Sequence, residues 1–131
     1  MTPAVAIAWL DHVNIRTANL AEMSRFYAEV LGLAKGARPP FAFGGAWHYC
    51  GERAVLHLVE VARQPAGQEP RLEHFALRAA GSDAGGLEPF IARLKAARVK
   101  YNVSEVPGAG ITQVNVHDPD GNHIEVQFAA G

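Results

Sequence analysis

Apolar positions recur along this chain with two periods, and the changes from one to the other mark out its elements. From about Ile7 to Arg16 apolar and polar residues alternate, as in a half-buried strand, with His12, Asn14 and Arg16 on one face and Val13 and Ile15 on the other. Leu20, Met23, Phe26, Tyr27 and Val30 follow at helical spacing, with Asn19 placed to cap the helix and Gly32 to stop it. Lys35 to Gly45 contains Pro39-Pro40 and Gly44-Gly45 and reads as an irregular loop. Trp47 to Cys50 and Ala54 to Val61 read as strands joined by a turn at Gly51-Glu52. The polar stretch Gln64 to Pro70, with two prolines, reads as a linker.

The second half repeats this plan. Glu73 to Arg78 reads as a strand, Gly81 to Gly86 as a loop, and Leu87, Phe90, Ile91 and Leu94 as a helical stripe that tolerates Pro89 in its first turn. Val99 to Ser104 is a further strand, followed by a turn at Pro107 to Gly110. Ile111 to His117 and His123 to Phe128 form a hairpin across Asp118-Pro119-Asp120-Gly121. The pattern predicts an α+β chain of two βαβββ modules, at about 5–63 and about 71–129, within a single domain spanning 1–131.

Four of the strand-like runs carry an ionisable side chain where an apolar one is expected: His12, His57, His74 and Glu125. A buried imidazole or carboxylate needs a partner, and one shared cation satisfies all four. These are also the common ligands of a borderline divalent metal. His12 and His74 lie about 62 residues apart and His57 and Glu125 about 68, a near-constant shift that points to duplication.

Composition narrows the classes. With 49% hydrophobic residues the chain can build a real core. A net charge of −1 gives no basic surface for nucleic acid or an anionic membrane. Cys50 is the only cysteine, which excludes an internal disulfide and fits a reducing cytoplasm; it reads as a small core or strand residue. Met1 to Leu10 is apolar but lacks the basic start of a signal peptide, and no segment approaches a membrane span in length. The expected location is cytoplasmic.

Several short pieces, in order, resemble the vicinal oxygen chelate superfamily, the glyoxalase/bleomycin resistance/dioxygenase fold. They are Asp11-His12-Val13, Arg25-Phe26-Tyr27 with Val30-Leu31-Gly32-Leu33, Ala54-Val55-Leu56-His57-Leu58, Glu73-His74-Phe75-Ala76-Leu77, and Asp118-Pro119-Asp120-Gly121-Asn122 leading into Ile124-Glu125. The resemblance covers essentially the whole chain and implies an open, cup-shaped mixed sheet around one divalent metal (Zn, Ni, Co, Mn or Fe(II)). By that resemblance His12, His57, His74 and Glu125 are the ligands, and sites are shared across a homodimer. Glu125 is the first candidate for catalytic base and His57 the second. Arg16, which follows His12 on the same strand face, is a candidate to bind a substrate carboxylate or phosphate, with Asn14, Gln113 and Asn115 as further substrate contacts.

The chemistry implied is glyoxalase-like lyase or isomerase chemistry on a small vicinal-dioxygen or α-oxo substrate. The departures are informative. Bacterial glyoxalase I usually has glutamate at the His57 position, and its glutathione contacts fall here at Val61 and Pro70. Fe(II)-dependent dioxygenation is the alternative, although a tyrosine usual in that group falls at Asn115. A non-enzymatic protein that sequesters a small molecule such as an antibiotic is the third reading. His48 and His123 read as surface or supporting histidines, while Phe41, Phe43 and Trp47 either wall a pocket or pack beneath a loop.

Overall fold

The alternating segments form two four-stranded sheets in the computed structural model, which describes residues 9–66, 72–79, 86–106, 108 and 110–129. In the first sheet β1 (Val13–Thr17) lies at one edge and β2 (Ala34–Gly36) at the other, with β3 (Gly45–Cys50) and β4 (Arg53–Glu60) between them. The order is β1-β4-β3-β2, and only the β1–β4 pair is parallel. The second sheet repeats the arrangement with β5 (Phe75–Arg78), β6 (Tyr101–Val106), β7 (Ile111–His117) and β8 (His123–Ala129) in the order β5-β8-β7-β6. Again only the first pair, β5–β8, is parallel. The expected βαβββ repeat is therefore present in the topology. Ile7, Ala8, residues 67–70 of the linker, 81–85 of the second loop, and Pro107 and Ala109 lie outside the described residues.

The first helical stripe folds as α1 (Leu20–Arg25) and runs on into a π-helical turn, Phe26–Val30. The wider turn buries Phe26, Tyr27 and Val30 together, and Gly32, at φ 76°, ends the segment. Asn19 occupies the cap position but its side chain does not cap. Its amide instead donates to Asp120 of the second half (2.9 Å), and its N–H is taken by the Thr17 hydroxyl (2.9 Å). The second stripe forms α2 (Leu87–Ala96), with Phe90 and Leu94 buried.

Both helices feed one apolar cluster. Met23 and Tyr27 meet Leu56 and Leu58 of β4, Leu94 of α2, Val114 and Val116 of β7 and Ile124 of β8, all essentially solvent-free. A buried hydrogen bond crosses between halves, from the Tyr27 hydroxyl to the Asp118 carboxylate (2.7 Å). Burial and the neighbouring Asp118 push the Tyr27 phenol well above its usual pKa, so it stays a donor.

Two expectations change. The loop begins only at Ala37, because Ala34–Gly36 pairs with Trp47–Tyr49 as β2. Gly36 lies directly under the Tyr49 ring, where any Cβ would collide. Cys50 is the last residue of β3, the strand placement of the two expected for it, and is exposed. His48 is not a surface residue: it is fully buried, facing α1 from the same side of β3 as Ala46. Its Nδ1 donates to the Leu33 carbonyl (2.7 Å) and its Nε2 faces the Ser24 hydroxyl (2.8 Å). No helix among the described residues is long and apolar enough to cross a membrane.

Burial lowers the His48 pKa from its ordinary value, partly offset by the Leu33 hydrogen bond. A depressed folded-state pKa means that the unfolded chain binds the proton first. Stability is therefore full above the unfolded value, near 6.5, and falls as pH drops toward the folded value. Denaturant unfolding at pH 7.5, 6.5 and 5.5 should show this loss, with a slope of up to about 1.4 kcal/mol per pH unit from this one group. The His48-dependent part should vanish in His48→Gln; an unchanged profile in that variant would remove His48 as the cause.

Candidate metal site

Each sheet turns its other face away from the helices, and there the alternation delivers polar side chains. His12 immediately precedes β1 and His74 immediately precedes β5. The neighbouring parallel strands supply His57, opposite Asn14, and Glu125, opposite Ala76. The four candidate ligands thus fall into two pairs, one per sheet.

In the first pair the His12 and His57 rings stack, with centroids 3.9 Å apart and planes inclined by 14°. Trp47 stacks on the other face of His57, also at 3.9 Å. His12 Nδ1 donates to Asp11 (2.8 Å), and His57 Nε2 donates to the Ala54 carbonyl (3.0 Å). His12 Nε2 and His57 Nδ1 are thereby left as lone-pair nitrogens when the rings are neutral. Burial lowers the His57 pKa, and His12 lowers it further, which favours that neutral form.

In the second pair His74 Nε2 lies 3.4 Å from Glu125 Oε2. The Glu125 side chain is only 12% exposed, and Gln113 donates to its other oxygen (3.1 Å). Gln113 thus orients a candidate ligand. Asn115 bonds to Asn102 and to His123 Nε2, each at 2.9 Å. Both amides, expected at the substrate, are engaged with protein partners.

The two pairs do not converge within one chain. Among the described residues, the only group of three or more potential ligands with donor atoms within 4.8 Å of one another is Glu73, His74 and His123. His12 lines a cavity of about 610 Å³ with Ala76 and Arg78. His74 lines another, of about 720 Å³, with Asn14 and Arg16. Arg16 and Asn14 are exposed and line the cavity that holds His74 of the other module, while Asn14 also pairs in register with His57.

Comparison with known proteins sets this geometry in context. The family profile described as the Glyoxalase/Bleomycin resistance protein/Dioxygenase superfamily matches residues 9–126. The chain belongs to this superfamily. No curated protein matches the sequence. Solved structures resemble it along nearly their whole length. An integron cassette protein from the mobile metagenome of Halifax Harbour Sewage Outfall is 25% identical, with a TM-score of 0.69 over 93% of this chain and 99% of that one. TnmS3, an antibiotic binding protein from Streptomyces sp. CB03234, is 23% identical, with a TM-score of 0.69 over 97% and 100%. Lactoylglutathione lyase from Agrobacterium tumefaciens is 22% identical, with a TM-score of 0.66 over 97% and 96%. The superfamily thus holds both enzymes and binders on this fold, and the residues must decide between them.

As candidate ligands, the two pairs fit a metal unequally. Two atoms bound at about 2.1 Å to one tetrahedral ion lie roughly 3.4 Å apart, which is the separation of His74 Nε2 and Glu125 Oε2. The stacked pair does not fit in its present rotamers. Imidazole lone pairs lie in the ring plane, and planes inclined by only 14° at this separation meet far beyond the reach of a ~2.1 Å bond. His12, 39% exposed, must turn off His57 before both rings can hold one ion.

Glu73 and His123 were not among the sequence candidates for ligands. The available signal was parity: His123 shares a strand face with Glu125, two residues on.

Proposed function

We propose that this protein is a divalent-metal-dependent enzyme of glyoxalase type, with lyase or isomerase chemistry on a small vicinal-dioxygen or α-oxo substrate. The observation that carries this reading is the His74–Glu125 pair, a nearly buried carboxylate held at ligand separation from an imidazole and oriented by Gln113. His12 and His57 complete the donor set from the equivalent strands of the other module. Because one chain does not bring the pairs together, the second pair comes from a second copy. Leu10 and Leu72 support that arrangement: each precedes a ligand histidine by two residues, and they are 77% and 63% exposed.

A bound divalent cation supplies polarisation of the substrate oxygens. The protein's own part is positioning and proton transfer. Glu125, released from the ion, would move the proton between two neighbouring substrate carbons, while Gln113 keeps the carboxylate aimed. His57 Nδ1, bare in the neutral ring, is the second base. Arg16, with five N–H donors, binds a substrate carboxylate or phosphate from the cavity wall.

Elemental analysis of untagged protein tests this. Glu125→Ala is expected to lower the transition-metal content by about one equivalent per chain relative to wild type. Iron would redirect the reading to dioxygenation. Absence of metal after reconstitution would reject both metal-dependent readings and leave the sequestering one. A specific feature favours that last reading: Trp47, His57 and His12 form a continuous ring stack, with the partly exposed Phe41 and Phe43 stacked beside Arg38. Such a surface suits a flat ligand without any metal.

A further inference from the structure

We propose that Glu73, His74 and His123 form a second site for a divalent cation of borderline softness such as Zn²⁺, separate from the four-residue site above. It includes two residues outside that set and stands whether or not the four-residue site is occupied.

The geometry comes first. One Glu73 oxygen lies 3.3 Å from His74 Nδ1 and the other 3.4 Å from His123 Nδ1. One donor atom from each of the three residues falls within 4.8 Å of the others. These separations are long for charge-assisted hydrogen bonds, which run about 2.7–2.9 Å. They match the spacing of atoms sharing one small ion, roughly 3.4 Å.

A count of hydrogens gives the second argument. His123 Nε2 donates to the Asn115 side-chain oxygen, so a neutral His123 presents a bare lone pair at Nδ1 toward the Glu73 carboxylate. His74 faces a carboxylate on both sides, Glu73 at Nδ1 and Glu125 at Nε2, and a neutral imidazole has one hydrogen for two such partners. Three nitrogen–carboxylate contacts therefore share a single hydrogen. His74 Nδ1 is also shut off from solvent without a hydrogen-bond partner, so water does not compensate it. A cation between Glu73, His74 and His123 resolves the contacts on that side; with the four-residue site also filled, His74 releases its remaining hydrogen to solvent and bridges the two ions as an imidazolate.

The cluster opens onto the 720 Å³ cavity, whose wall also holds His117, Asn122, Arg16 and Asn14. That leaves room for the remaining ligands of the ion to come from water or from an anionic group. Glu73 is exposed, and His74 and then His123 hold its carboxyl below the usual pKa.

Calorimetric titration of metal-stripped, full-length protein with Zn²⁺ tests the site, using His123→Ala, Glu73→Gln and Glu125→Ala. Glu73→Gln removes one charge from an exposed position, so it stands in if His123→Ala misfolds. Wild type should show two classes of binding. His123→Ala and Glu73→Gln should each weaken one class by about 100-fold or more and spare the other, while Glu125→Ala does the reverse. A single class, lost in His123→Ala but kept in Glu125→Ala, would support this site and reject the four-residue one. Binding unchanged in number and affinity in both His123→Ala and Glu73→Gln would overturn it, leaving these rings held by protons alone.

Discussion

Co-expressing two chains that each lack half of the four-residue site is expected to restore about a quarter of the wild-type metal sites. The first chain carries His12→Ala and His57→Ala; the second carries His74→Ala and Glu125→Ala. Neither has a complete donor set by itself, and each purified alone should retain essentially no metal at this site. In a two-fold dimer whose sites draw one pair from each subunit, a mixed dimer has one complete site and one with no ligands. Mixed dimers make up about half of a statistical population, hence the quarter. The expectation rests on the separation of His12 and His57 from His74 and Glu125, and on the exposed Leu10 and Leu72 beside them. Metal content in the co-expressed sample no higher than in the separate variants would mean that sites are not shared between subunits.

The largest effect on stability is expected at Asp118. Its side chain accepts four hydrogen bonds: from the Tyr27 hydroxyl (2.7 Å), the Asp120 and Asn122 backbone N–H groups (3.0 and 2.9 Å) and the Asn122 amide (2.9 Å). Asp118 is only 5% exposed and Tyr27 not at all, so water does not replace what is removed. Asp118→Ala strands the buried phenol and three turn donors, a loss of about 3–5 kcal/mol. Tyr27→Phe leaves the three turn bonds in place and should lose about 1–3 kcal/mol. Urea denaturation of both variants and their double mutant separates the Tyr27–Asp118 coupling from the turn itself. A loss below about 1 kcal/mol in Asp118→Ala would mean that the turn relaxes enough to admit solvent.

The contrast between these sites shows what the sequence could tell. Alternation in β4, β7 and β8 was legible because one face packs on helices, so Leu56, Leu58, Val114, Val116, Ile124 and Val126 fall in strict parity. Ala34-Lys35-Gly36 gave no such signal: all three are exposed, and pairing with β3 alone makes them a strand. His48 was misjudged because an imidazole in a strand was read by residue type. Its parity with Ala46, one residue off Trp47, placed it under the helix. The candidate ligands were legible singly, as polar residues inside apolar runs. Their assignment of one pair to each module followed from the repeat, but the stacking of His12 and Trp47 on His57 did not, because it depends on side-chain packing. The same holds for the Asp118-Pro119-Asp120-Gly121 turn, whose sequence predicts a hairpin but not that its first carboxylate reaches a phenol on another module.

A chain built from a repeated unit invites treatment as two interchangeable cassettes, and here the apolar cluster closes that route. Tyr27 and Met23 from the first half and Leu94, Val116 and Ile124 from the second belong to one continuous interior. A half expressed alone would expose the side of its helix that now meets the other half. Recombining halves from different relatives would likewise have to carry the Tyr27–Asp118 pair as a matched set. The two modules differ at the polar face, where the candidate ligands are His57 in one and Glu125 in the other, but along the seam that joins them a change on one side requires a matching change on the other.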